Sequence, residues 1–285
     1  MRKGRRFMGI ALVVILVVVV GILIYWNIGY SPNKSSFNKS IYTRIDKTEE
    51  AEGIYNKEEI EKLPEAMQRY FNYIDCIGKE KNNIVNIYFK DTYFYMEGKE
   101  LSIDYDLWLF SDKPYRSACI TSSMYGIPFE GMDYFNESTK EGGMKGVVGK
   151  AITIFDTHNK QMYSAGLISW MIEGVYNPTI LLSDYITYNQ IDNNHVEATI
   201  EYDGAVGKGI YTIDDEGKII EFESWERQVE NIDGVDNYLG WICKAEDYQY
   251  KNDIKVPLKI SATTVYPDKE EKYFDANNIE INYYK

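Results

Sequence analysis

His195-Val196-Glu197-Ala198-Thr199-Ile200-Glu201-Tyr202-Asp203-Gly204 is the stretch that decides the fold. Val196, Ala198, Ile200 and Tyr202 alternate with Glu197, Thr199 and Glu201, the period-2 pattern of a strand with one buried face. Asp203-Gly204 turns the chain back, so residues 206–213 form the antiparallel neighbour. Upstream, Asp192-Asn193-Asn194 joins the stretch to a strand at 185–191. Downstream, Asp214-Asp215-Glu216-Gly217 leads into another at 218–227. The C-terminal third therefore reads as a run of hairpins, continued by strands at 241–250, 255–266 and 279–284.

The same signal extends towards the N-terminus. Residues 84–96 are rich in Val, Ile, Tyr and Phe, the side chains that suit a pleated surface. Residues 104–110 alternate until Pro114 interrupts them, and 115–125, 129–136 and 144–155 read as further strands between Gly and Pro breaks. Two helices interrupt the pattern. Leu63-Pro64-Glu65 opens the first, with proline tolerated in the first turn and Glu65 at the positive end of the dipole. Met67, Tyr70, Phe71 and Ile74 give it one apolar face, and Gly78 stops it. A shorter helix starts near Asn56. The second main helix spans about 160–176 and is apolar over most of its circumference, so it is expected to be buried. Met162, Gly166, Ser169, Trp170 and Glu173 share one side of it; Asn177-Pro178 ends it. About eleven strands and two or three helices, without strict βαβ alternation, predict an α+β domain with one large curved, mainly antiparallel sheet.

Residues 7–24 carry no ionisable side chain and are dominated by Val, Ile and Leu. As a helix they reach about 27 Å, close to the ~30 Å hydrocarbon thickness of a bilayer. Tyr25, Trp26 and Tyr30 follow, where amphipathic rings favour the headgroup layer, and Arg2, Lys3, Arg5 and Arg6 precede the span. A cleaved signal peptide would have a shorter apolar region and small residues before the cut; Ile24-Tyr25-Trp26-Asn27 offers none. The expected organisation is a cytoplasmic tail at 1–6, a transmembrane anchor at 7–26, a polar tether at 27–53 and an extracytoplasmic domain at 54–285. Placement in the cell membrane, single-pass with the N-terminus inside, follows. So short a tail is not expected to carry a signalling module.

The formal net charge of −13 includes four positive charges in the tail, so the remainder carries −17. Such a body repels nucleic acid and does not lie on anionic lipid through basic contacts. Cys76, Cys119 and Cys243 are too few and too scattered for a disulfide framework and read as small buried apolar residues, one possible pair aside. His158 and His195 alone cannot build a histidine-rich zinc site, and no cofactor signature is present.

Three segments carry a family resemblance: Leu63-Pro64-Glu65-Ala66-Met67-Gln68-Arg69-Tyr70-Phe71, Glu173-Gly174-Val175-Tyr176-Asn177-Pro178-Thr179-Ile180-Leu181-Leu182, and the closing strands from Trp241 to Tyr284. Together they resemble a bacterial family of unknown function, whose members carry a Leu-Pro-x-x-x-Gln-Arg-Tyr helix start and a Trp-Phe-Pro-Thr-x-Leu-Leu segment. Tyr176 and Asn177 replace the family's Trp and Phe, which implies a more polar lining if that segment borders a cavity. The strand pattern is similar to the lipoprotein-carrier type of fold, in which a curved sheet wraps helices around an apolar cavity.

Candidate chemistry centres on Glu173, a carboxylate within an apolar helix that needs either a functional role or an arginine such as Arg69 or Arg116. Trp170, Glu173, Tyr176, Asn177 and Leu181 are the candidate ligand-lining residues. The pairs Asp104/Asp106 and Glu221/Glu223 share strand faces and suit solvent-facing positions better than catalysis, and no Gly-x-Ser-x-Gly elbow exists. Gly207-Lys208-Gly209 lacks phosphate-loop spacing. Three functions remain open: a tethered module for an apolar ligand such as a lipid or lipidated peptide, an envelope interaction or assembly factor, and a carboxylate-dependent hydrolase.

Overall fold

Alternation and hairpin turns place the residues in the following elements of the computed structural model. Its backbone is described for residues 2–96, 98–230 and 236–284, and its side chains for these except 2–6, 228–230 and 236–238. The basic side chains of the tail, on which the inside-outside assignment rests, lie outside the described residues. Helices α1 (Arg2–Asn27), α2 (Pro32–Ile45), α3 (Lys57–Ile60) and α4 (Glu65–Tyr73) come first. Strands β1 (Ile84–Met96), β2 (Lys99–Phe110), β3 (Tyr115–Met124), β4 (Ile127–Asn136), β5 (Glu141–Val148) and β6 (Ile152–Asn159) form a meander. Helices α5 (Lys160–Glu173) and α6 (Pro178–Leu181) follow. The chain then makes β7 (Ile186–Gln190), β8 (His195–Tyr202), β9 (Ala205–Ile213), β10 (Ile219–Ser224), β11 (Gln228–Glu230), β12 (Asp236–Tyr238), β13 (Gly240–Lys251), β14 (Ile254–Val265), β15 (Glu270–Ala276) and β16 (Ile279–Tyr284).

Among the described residues, one antiparallel sheet holds 14 strands in the order β6-β5-β4-β3-β2-β1-β15-β14-β13-β10-β9-β8-β7, with β16 also pairing β1. The expected class is therefore correct and the expected count of about eleven is low. Residues 144–155 split into β5 and β6 because Gly149 and Lys150 both take left-handed φ, +61° and +63°. The charges Glu270, Glu271 and Lys272 concealed β15, whose side chains are mostly half-exposed.

The two faces of the sheet separate by alternation. Leu107, Leu109 and Ala118 point into the main core, together with Met67, Tyr70 and Phe71 of α4 and Leu167, Trp170 and Met171 of α5. Each such large apolar side chain contributes about 1.5–3 kcal/mol on burial. Trp108 and Cys119, one residue out of step, face the other side. In β9, a Cβ on Gly209 would stand 2.1 Å from the Phe222 ring, and one on Gly207 would stand 2.6 Å from Ile168 of α5. These glycines serve close packing.

The tyrosines have a specific task in this core. Helix ends leave carbonyls without partners. Tyr211 donates to Met171 O (2.7 Å), Tyr283 to Tyr176 O (2.9 Å) and Tyr188 to Leu181 O (2.9 Å), so rings from the sheet satisfy the buried carbonyls at and beyond the end of α5. The three cysteines are free and buried.

The segment expected as a polar tether at 27–53 contains a docked helix. Ser31 caps α2, Pro32 occupies its first turn, and Phe37 and Ile41, one turn apart, pack on Cys119, Trp108 and Met132. Arg44 pairs with Asp112 at 2.8 Å and lies 4.8 Å over the Phe110 ring. The polar composition of 32–45 concealed a three-residue apolar stripe, Phe37, Ile41 and Ile45. Ile41→Ala is expected to cost about 2 kcal/mol and to release α2, seen as lost amide-exchange protection confined to residues 32–45.

Burial raises Tyr70, Tyr105, Tyr176, Tyr211 and Tyr248 well above the ordinary phenol value. Their native pKa values exceed the unfolded value of about 10. The stability they support is complete below that value and is lost as pH rises through it, since only the unfolded state releases protons. Each should cost about 1.4 kcal/mol per pH unit above ~10. Unfolding should be abrupt and coincide with tyrosinate absorbance in a pH titration, whereas independent gradual titration of these phenols would contradict it.

Candidate functional site

Helix α5 is capped at its start by Asn159, whose side chain accepts from Met162 N at 2.7 Å, and at its end by Gly174. Its 3.6-residue period puts Met162, Ala165, Gly166, Ser169 and Glu173 on one stripe. Tyr163, Leu167, Trp170 and Met171 lie off that stripe, in the packed core. The central residues of the stripe are small, so the helix does not fill the space between itself and the sheet. The result is a cavity of about 310 Å³.

The cavity walls are mostly aromatic or aliphatic, with Phe89, Phe94 and Met96 from β1, Ile120 from β3, Phe155 from β6 and Phe274 from β15. Phe155 of β6 and Ile260 of β14 line the same space although β5, β4, β3, β2, β1 and β15 lie between them. The sheet is therefore strongly curved around α5.

An ion group built on Arg116 interrupts this wall, and Thr157, Ser169, Arg227, Ser261, Thr264 and Glu271 add further polar side chains to the lining. Arg116 on β3 donates to Glu173 twice, Nε to Oε2 and Nη2 to Oε1, both at 2.8 Å. Its Nη1 donates to Asp133 Oδ2 at 2.6 Å and its Nη2 also to the Tyr105 hydroxyl at 2.9 Å. Burial works against the guanidinium charge, but Asp133 and Glu173 outweigh it and hold Arg116 well above its ordinary value. Burial raises the Glu173 carboxyl, with Arg116 opposing that rise. Nearby, Arg227 stacks 4.5 Å over the Trp241 ring.

Of the five candidate residues, the structure brings Glu173 and Tyr176 to the cavity wall. The other three belong elsewhere. Trp170 faces the core and donates to Phe110 O at 2.9 Å, because it lies one position off the stripe. Asn177 is the cap of α6, and Leu181 is core. Tyr176 places its ring edge-on to Phe89, so the wall is aromatic at this position. The β-strand linings were missed because any strand pattern shows an inward face without showing whether that face is filled. Ala165, Gly166 and Ser169 at helical spacing were the available signal.

Three of the other four candidate carboxylates are engaged by neighbouring side chains. Asp104 accepts from Tyr88 (2.9 Å), Asp106 accepts from Asn86 (2.6 Å), and Glu221 pairs with Lys244 at 3.5 Å. Among the described residues, no group of three or more His, Cys, Asp or Glu side chains could hold a metal ion.

A family model described as a family of unknown function, DUF6544, matches residues 53–276. The chain belongs to that family. Both motifs at 63–70 and 176–182 fall inside the DUF6544 match; Gln68 donates to Leu63 O at 2.7 Å, Thr179 shares a 2.8 Å hydrogen bond with Tyr55, and Tyr176 lies on the cavity wall. No curated protein matches the chain. Among solved structures, a LolA superfamily protein from Nitrosomonas europaea is similar at 12% identity and a TM-score of 0.36, covering 75% of this chain and 92% of that one.

Removing one member of a buried ion group strands the others. Arg116→Met should cost about 3 kcal/mol or more, and the Arg116→Met/Glu173→Leu double variant should recover part of it. Denaturant unfolding of the four species gives the coupling; additive losses would refute it.

Proposed function

We propose that the domain is a membrane-tethered, extracytoplasmic binding module that holds an apolar ligand, a lipid chain or the chain of a lipidated peptide, between α5 and the curved sheet. The observation that carries this reading is the cavity that the small stripe of α5 leaves open. Its volume of about 310 Å³ lies at the lower end of ligand pockets, which run from roughly 300 to 1,000 Å³. It is about twice an engineered 150 Å³ apolar cavity that stays dry and binds benzene. That size favours a single chain over a whole two-chain lipid.

The placement is supported by α1, a helix among the described residues that is long and apolar enough to cross a membrane, its most apolar 18-residue window having a mean hydropathy of 3.3. Basic residues before the span favour an inside N-terminus. The hydrolase reading is weakened by Arg116, which pairs with the lining carboxylates Asp133 and Glu173, and by Lys269, which pairs with the third, Glu271.

Filling the cavity from two sides tests the reading. Ala165→Phe from the helix and Met144→Trp from the sheet should each lower retention of a fluorescent fatty acid by the full-length protein at least tenfold, with little change in unfolding temperature. Equal retention by the wild type and both variants would overturn it.

A further inference from the structure

The end of α1 is held by the domain itself. Lys150, buried in the β5–β6 turn, donates to Ile28 O at 2.6 Å, to Tyr30 O at 3.3 Å and to Tyr25 O at 3.5 Å. These carbonyls lie in and just beyond the last turn, where helix partners run out and the dipole favours a cation. Tyr25 donates its hydroxyl to Lys150 O at 3.4 Å. The Trp26 indole lies so close to Gly149 that a Cβ there would be 3.1 Å from Nε1, and the turn's left-handed φ of +61° also favours glycine. Ser31 and Asn33 donate to Glu130 on β4 at 2.5 Å and 3.2 Å. Tyr and Trp after an apolar span sit at headgroup depth. The β5–β6 turn, in contact with both, shares that depth.

Register extends the argument to the neighbouring turn. Phe129 of β4 pairs with Val148 of β5, and Gly149 N donates to Pro128 O at 2.7 Å, so the β3–β4 turn lies beside the β5–β6 turn. At this end three apolar side chains are bare: Tyr125 is 98% exposed, Ile152 65% and Ile154 52%. The last two are on β6, an edge strand, and an uncovered apolar edge invites aggregation unless something occupies it. In the same meander the β1–β2 turn points to this end. There the cavity lining is half-buried at Phe94, Tyr95 and Met96, while Leu107, Ile172 and Tyr176 deeper in are fully buried.

We propose that the β3–β4 and β5–β6 tips, through Tyr125, Ile152 and Ile154, rest in the interfacial layer of the bilayer that α1 crosses, and that the cavity takes its ligand from that leaflet. The partner is the lipid surface itself, contacted by apolar side chains. A domain body of charge −17 is disfavoured from adhering to anionic lipid by charge, so apolar insertion is the contact its surface permits. The inference rests on α1 being a span.

The test uses the full-length protein in phosphatidylcholine nanodiscs, with an environment-sensitive fluorophore on single introduced cysteines; the native cysteines are buried. Y125C and I154C should be quenched several-fold more by headgroup-labelled spin lipid than by an aqueous quencher. Y250C, 57% exposed beside the β13–β14 turn, should show the reverse. V17C serves as the ruler and should read at the bilayer centre. If V17C reads there and the two tip labels behave like Y250C, the docking inference fails while ligand binding stands. If V17C does not read there, the anchor and the docking fail together. Fatty-acid retention reports separately on the cavity.

Discussion

Arg116 joins the β3–β4 hairpin to α5, which lies well beyond it in sequence. Its guanidinium sits on β3, grips Glu173 at the end of α5 by two hydrogen bonds, and reaches Asp133 on the adjacent β4. A carboxylate on a buried helix and an arginine on a buried strand would each be costly alone; together, with Tyr105 as a further partner, they fix the angle at which α5 crosses the sheet. The rest of the inner architecture follows from that crossing. With α5 held there, its small stripe faces the aromatic wall and the space between them stays open.

The tyrosines complete this arrangement from the other side. A sheet that curves around a helix buries the helix's C-terminal carbonyls where water cannot reach them. Tyr211, Tyr188 and Tyr283 supply hydroxyls to the carbonyls of Met171, Leu181 and Tyr176. A side chain with an apolar body and a polar tip can both pack the core and satisfy it. The price is a core that depends on phenols staying protonated.

Outside the core, the joint between α1 and the domain changes the meaning of the anchor. The capped helix α2 and the Lys150 contacts give the polar tether a fixed seat. In the proposed membrane arrangement, a seat that uses Tyr25 and Trp26 ties the depth of the domain to that of α1. The same proposal gives the exposed apolar tips beside that seat, Tyr125, Ile152 and Ile154, an environment suited to them.

Much was legible in the residues themselves. Period-2 alternation such as Val196 to Tyr202, hairpin turns such as Asp203-Gly204, and the apolar run 7–24 each reflect local rules, so strand type, antiparallel class and a membrane-length helix followed from sequence. So did the pairing of Glu173 with an arginine, since a charge in an apolar helix needs a partner. The tertiary structure decided the rest. It selected Arg116 over Arg69, turned Trp170, Asn177 and Leu181 away from the cavity while leaving Glu173 and Tyr176 on it, and docked the 32–45 helix. A one-residue step on a helix is a 100° rotation, and whether an inward face is filled or empty depends on the volume opposite it. That volume comes from strands distant in sequence, brought together only when the sheet curves.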